Sequence, residues 1–298
     1  RTLRMHNGAI VSDIPHAPAA SGGCAVNEYL INAALAGLFS GALCGIVGVF
    51  LVTMQASFLG ICIAHAAFAG ALLGLLLGFN PMIGALLFSI AAAAVIGPIA
   101  DRGALAPDAA IGILFSVMIG LAFLILGMMP SGRPEALSLF WGAILTVSRS
   151  DIAVLALVLL AVIILLAGFF RQVQVVVCHR AVAAAAGIPA TLYFYSMLCA
   201  TGVSIAVSLP SVGGLLVYSL VINPAAAAYQ LTYNFKLLLG LAAVFGIASC
   251  WIGLAVSYIF DAPAGAVIVL TSAAIFAGAC IISPKRRRAP WRTAATKH

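Results

Sequence analysis

FLGICIAHAAFAGALLGLLLGFNP, residues 58–81, runs from Phe58 to Gly78 with a single histidine, His65, and no lysine, arginine or carboxylate. A helix needs about 20 apolar residues to cross the roughly 30 Å hydrocarbon core of a bilayer, and 58–78 is that long. Eight further runs of comparable length flank it: 27–52, 80–100, 109–129, 151–170, 190–209, 211–231, 236–260 and 263–283. The pattern predicts an all-α, polytopic membrane helix bundle of eight to nine spans. The run 211–231 is the irregular one. It opens on LPSVGG, where Pro210, Gly213 and Gly214 break a helix or start a re-entrant segment, so eight spans plus one irregular segment is the alternative reading. No short apolar stretch with a cleavage site precedes 27–52, which therefore reads as a span and not as a signal peptide.

The composition agrees. The 298 residues are 64% hydrophobic and 7% charged, against about 25% charged in an ordinary soluble domain. That little charge cannot cover the outside of a water-soluble globule. The net charge of +7 is spread thinly except at the extreme C-terminus, which excludes a nucleic-acid binder as well as a disordered chain. Seven cysteines stand singly, without a disulfide framework or a CxxC pair.

Positive loops stay on the cytoplasmic side. With the tail KRRRAPWRTAATKH inside and nine spans alternating, Arg102, Arg171, Arg180, Lys236, Lys285, Arg286, Arg287, Arg288, Arg292 and Lys297 fall inside, ten of the fourteen Lys and Arg. Arg1, Arg4, Arg133 and Arg149 fall outside. The expected organisation is an extramembrane segment over 1–26, a transmembrane domain over 27–283 with a cytoplasmic loop near 178–189, and a basic cytoplasmic tail over 284–298 that anchors the topology at the lipid surface.

Gly70, Gly74 and Gly78 recur every fourth residue in 58–78, as Gly37, Gly41 and Gly45 do in 27–52. Small residues at that spacing make a smooth helix face that lets another backbone approach. The chain is expected to pack as a tight bundle.

Polar side chains within the apolar runs are functional candidates because each costs roughly 2.5–3.5 kcal/mol when ionised in the membrane. His65 stands out, with Cys62 three residues earlier on the same helical face. Thiolate and imidazole suit a soft or borderline divalent metal. Two ligands do not complete a site, and the other reading makes His65 a neutral packing residue that donates to a backbone carbonyl, with Cys62 a small hydrophobe. Asn223 precedes Pro224, which frees a carbonyl one turn earlier; Asn223 either satisfies that carbonyl or lines a polar path. Between the fifth and sixth runs, CHRAVAAAAGIP (178–189) is a strong helix former that ends in Gly187 and Pro189. It forms a short helix able to dock on a partner, or continues the next span.

Enzyme chemistry is absent. No GxSxG, HExxH or intramembrane carboxylate pair occurs, and Asp101, Asp108, Asp151 and Asp261 all sit at span ends. Without a GxxxxGK[ST] loop, any ATP that drives transport is bound by another subunit. An ion-coupled carrier needs buried acids, and the runs carry acids only at their ends, Glu28 and Asp151.

Four stretches resemble the permease subunits of ATP-binding-cassette importers for zinc, manganese and iron(II): residues 58–81; DAAIGILFS (108–116) with SLFWGAILTVSRSD (138–151); HRAVAAAAGIP (179–189); and VGGLLVYSLVINPAAAAYQLTYNFK (212–236) with FDAPAGAVIVL (260–270). The resemblance implies a permease in a bacterial cytoplasmic (inner) membrane, paired with a second copy, with two ATPase subunits below and a periplasmic or lipoprotein metal receptor above. It implies no resident cofactor: the metal is cargo and ATP acts through the partner. It makes 179–189, with His179, Arg180, Ala183 and Gly187, the ATPase-coupling loop, although His179 and Ala181 stand where the family carries acids. It aligns His65 with the histidine of a D-x-x-x-H metal motif whose acid position is Ile61 here. With Cys62 adjacent, the expected cargo is zinc, with manganese or iron as alternatives within the family and a stand-alone channel or carrier outside it.

Overall fold

In a computed structural model of the chain, the described residues are 5–6, 9–10, 22–101, 107–129, 134–142, 144, 147–214 and 216–284. The basic tail beyond residue 284 and most of the segment 1–26 lie outside them, apart from a two-residue antiparallel pairing of Met5–His6 with Ala9–Ile10. The rest is helical. In lipid every backbone N–H and C=O must find a partner within its own segment, and the long Ala, Leu, Ile and Val runs do so as helices. In order these are α1 Gly22–Thr53, α2 Ser57–Leu77, α3 Pro81–Asp101, α4 Pro107–Met128, α5 Pro134–Trp141, α6 Arg149–Gly168, α7 Phe170–Cys178, α8 Arg180–Ala185, α9 Ala190–Val212, α10 Val217–Leu231, α11 Phe235–Phe260 and α12 Ala264–Ile282.

Local sequence sets the ends. Ser148 and Asp151 form a reciprocal capping box at the start of α6. Asn234 caps α11 by accepting from the Lys236 backbone N–H. Gly78 closes α2 in the left-handed conformation at φ 78°. Thr53, Gln55, Cys178, His179, Tyr229 and Thr232 line one cavity, which puts the ends of α1, α7 and α10 together with the start of α11 at what is here termed the α8 end. At the opposite, α5 end, Arg149 of α6 reaches Glu28 of α1 at 2.7 Å.

The core is α1, which packs on α6, α9, α10 and α11, joined to α2, which packs on α3, α4 and α9. Most of the spaced glycines make close approaches, and Gly48 of α1 closes likewise on the Val221 carbonyl of α10. A Cβ at Gly41 would lie 2.6 Å from the Gly246 carbonyl oxygen, and one at Gly45 would strike that of Ala242. Gly70 of α2 and Gly84 of α3 face each other so closely that neither tolerates a Cβ, and Gly74 abuts Pro81. Gly78 differs from its two spaced partners: nothing lies within 4 Å of its Cβ position, and its φ explains the glycine.

The run 211–231 is corrected. α9 continues through Pro210 to Val212, and α10 begins only at Val217, so its 15 residues rise about 22 Å. That is short of a full hydrocarbon thickness. The intervening backbone turns at Gly213 (φ 98°) against Gly142 (φ 80°), which ends α5. The Gly214 N–H donates to the Leu139 carbonyl at 2.9 Å, and a Cβ there would meet the Phe68 ring. Gly265 of α12 closes on the Trp141 carbonyl. Irregular backbone is tolerated at depth when protein covers it and its polar groups are paired. α5, unexpected from the apolar runs, supplies that cover. The irregular-segment reading therefore describes this region better than a ninth full-length span.

Candidate functional site

His65 lies eight residues into α2, about 12 Å along the axis from its start at the α8 end. It is 5% exposed. Its Nδ1 lies 2.8 Å from the Ile61 carbonyl oxygen one turn earlier. A carbonyl only accepts, so Nδ1 carries the proton, and a neutral imidazole then holds its lone pair on Nε2. The ring stacks edge-on against Phe115 of α4, with centroids 4.8 Å apart and planes at 77°. The backbone bond expected of a packing histidine is present. The same bond fixes the tautomer and orientation that a metal-ligating imidazole requires.

Cys62, by contrast, is fully buried in the apolar cluster of the core and makes no hydrogen bond among the described residues. No group of three or more His, Cys, Asp or Glu side chains converges anywhere in them. His65 thus belongs to no group of three or more such side chains among the described residues, and water, main chain or another subunit would have to complete any coordination around an ion there.

Asn223 does not satisfy the carbonyl that Pro224 frees. Its Nδ2 donates to Ser272 Oγ of α12 at 2.9 Å, and Ser272 in turn donates to the Val269 carbonyl. This is an inter-helix tie of the kind that holds membrane bundles together. It pairs the amide nitrogen with α12.

The segment 178–189 forms a helix of its own. His179, extended at φ −151° and ψ 86°, separates α7 from α8, and Gly187 at φ 77° turns the chain toward α9. Ala183 is buried against Val176 and Ala190, with Ile188 and Tyr193 beside them. It holds the joint and does not face outward. The outward surface of α8 is Ala181, Val182, Ala184 and Ala185, with Val182 59% exposed. Arg180 lies over the Phe194 ring at 4.6 Å and reaches Thr191 Oγ1 at 3.4 Å. His179 is exposed beside Cys178, over the cavity at the foot of α1, α10 and α11.

Two partners here have no sequence signal. Phe115 is fifty residues from His65, and Ser272 is 49 from Asn223. A stretch that includes Phe115 carries part of the family resemblance, but nothing in it points to residue 65.

Among the described residues the long helices bundle around α1 and α2, with His65 inside α2 and the short α8 at one end. Residues 26–283 match the ABC 3 transport family, and the chain belongs to it. It is 31% identical over 259 residues to the "Manganese transport system membrane protein MntC" of Halalkalibacterium halodurans, covering 87% of this chain and 89% of that protein. The "Manganese import system permease protein ScaB" of Streptococcus gordonii is 31% identical over 260 residues, covering 87% and 93%. Among solved structures, a chain of "PsaBC from Streptococcus pneumoniae in complex with Fab" is 31% identical and superposes with a TM-score of 0.79, over 88% of this chain and 94% of that one.

Proposed function

We propose that this chain is the permease subunit of an ATP-driven importer of divalent metal ions, with manganese and not zinc as its principal cargo. The observation that carries the reading is the placement of His65: an imidazole oriented by its Nδ1 bond to the Ile61 carbonyl inside the second span of a chain that belongs to a family of transport permeases. The expectation of zinc rested on Cys62 replacing the missing acid. Cys62 is packed as an apolar side chain, and relatives at 31% identity carry manganese in their names. One imidazole completed by oxygen ligands suits a harder ion better than a thiolate set does.

The physical problem is desolvation. A bare divalent ion faces a Born cost in hydrocarbon far above what one ligand returns, so its water is replaced in stages along the helices. A single nitrogen ligand holds the ion weakly enough to release it again, as conduction demands. The energy comes from outside this chain, which has no phosphate-binding loop. ATPase subunits dock at the α8 end, where the exposed face of α8 and the joint built on Ala183 transmit their closure to α7 and α9. A metal-binding receptor delivers the ion at the α5 end, and a second copy of the chain completes the passage. In this arrangement the α8 end and the basic tail face the cytoplasm of a bacterium, as the distribution of Lys and Arg directs.

Uptake of radiolabelled manganese into vesicles holding the reconstituted permease with its ATPase tests this reading. ATP-dependent manganese uptake, competed weakly by zinc, is the expected result. Zinc uptake that manganese fails to compete would return the cargo to zinc. Flux that persists without the ATPase would make the chain a channel or carrier.

A further inference from the structure

A cavity of about 440 Å³ at the α8 end, away from His65, is lined by Ala167, Gly168, Phe170, Arg171, Gln172 and Lys236. It forms because the chain breaks between α6 and α7 at Phe169, which drops Arg171 beside the first turn of α11. Phe170 and Phe235 pack at 5.7 Å between ring centroids, and Lys236 Nζ sits 5.5 Å from the centre of the Phe170 ring. The aromatic pair thus joins the starts of α7 and α11, whose cations Arg171 and Lys236 line the same cavity. Both are exposed, and neither pairs with a carboxylate among the described residues. The carboxylates whose side chains are described stand far away. Asp261 is at the far end of α11, 25 residues and about 37 Å from Lys236. Asp151 and Glu28 are at the α5 end with Arg149, and Glu135 is on α5.

Two like charges held at one cavity, with no carboxylate paired to either among the described residues, are stabilised by an anion from outside. The start of α11 adds the positive end of its helix dipole, of which Asn234 satisfies one N–H. The cavity stands where α6 and α11 meet the boundary of the bundle, and apolar side chains flank it on both. Phe169 is 48% and Ile164 62% exposed on one side, with Leu237 53% and Val244 57% exposed on the other. An anion with a hydrocarbon body fits that surroundings; a free inorganic anion leaves the apolar flanks unused.

We propose that Arg171 and Lys236 form a binding site for the phosphate of an anionic phospholipid, in the leaflet at the α8 end. The guanidinium and the ammonium share the two unesterified phosphate oxygens, while the glycerol and acyl chains lie along the exposed faces of α6 and α11. The site ties the break between α6 and α7, and so the root of α8, to the lipid surface. A merely topological role for these cations predicts no preference among lipids once the protein is folded.

The test uses the full chain in mild detergent with dioleoyl phosphatidylglycerol or dioleoyl phosphatidylcholine at equal concentration, reading retained lipid by native mass spectrometry. At least fivefold more phosphatidylglycerol than phosphatidylcholine is expected on the unaltered chain, falling to within twofold in R171Q/K236Q and persisting in Arg149→Gln at the other end. Millimolar inorganic phosphate is expected to leave retention unchanged, and full displacement by it would overturn the lipid as occupant. Equal retention of the two lipids by the unaltered chain, or a preference that survives in R171Q/K236Q, also overturns the proposal. Should that variant fail to fold, salt on the unaltered chain decides: raising it from 50 to 500 mM (about tenfold) must erode the preference, and a preference indifferent to salt overturns it.

Discussion

α2 and α4 are near-equal in length and alike in composition, yet they occupy opposite situations. Fourteen residues of α2 are buried; among the described side chains of α4 only Ile111, Ala122 and Ile125 are. Both carry glycine. In α2, Gly60, Gly70 and Gly74 each have a neighbour at 3.0 Å or closer to a Cβ, whereas Gly112, Gly120 and Gly127 of α4 have nothing within 4 Å. The difference teaches that apolar content places a helix in the bilayer, while its packing partners decide whether it lies inside the bundle or around it. The two helices meet at the His65–Phe115 contact, where the lining of the candidate passage is set.

Breaking this contrast at its strongest point should have the largest effect. Gly70→Leu drives a side chain into the Gly84 backbone and is expected to cost about 3 kcal/mol or more, with little folded protein recovered by size-exclusion chromatography. Gly120→Leu, in open space, should change stability by less than about 0.5 kcal/mol. Similar thermal midpoints for the two variants would erase the distinction. Next, His65→Ala should lower metal uptake at least tenfold with its assembly and basal ATP hydrolysis preserved; undiminished uptake would return His65 to packing alone. Phe115→Leu keeps apolar bulk but removes the ring pair, a loss of about 0.5–1.5 kcal/mol in thermal unfolding, with a few-fold fall in uptake as the imidazole loosens. The smallest change is expected from Asn223→Ala. Losing its bond to Ser272 should cost about 0.6 kcal/mol and leave cargo choice alone, and a shift in manganese-to-zinc preference would place Asn223 on the passage after all.

Much of this architecture is legible residue by residue. The helices α1, α2, α3, α4, α6, α9, α11 and α12 fall within a few residues of the apolar runs, because each run carries its own transfer free energy and its own backbone partners. The separate helix at 180–185 follows from its alanines and Gly187. His65 is legible as the one imidazole in a run, and its bond to Ile61 follows from helical spacing of four. The short α10 is only partly legible: Pro210, Gly213 and Gly214 announce a break, but its place depends on Gly142 arriving from α5 to cover it. Ala183 reads as part of a docking surface, yet it is buried because α7 and α9 converge behind it.

The sequence alone therefore determined residence in the membrane, the number and order of the long helices to within one, the odd histidine, and the lack of a phosphate-binding loop in the given sequence. These are properties of short windows, and their energies add along the chain. Tertiary structure decided which of two similar apolar helices is enclosed, which glycines are close approaches and which are turns, that Phe115 meets His65 and Ser272 meets Asn223, and that Arg171 and Lys236 share one cavity. Those depend on how far each helix is rotated and shifted against its neighbours, a quantity set by contacts between residues far apart in sequence and written in no single stretch of it.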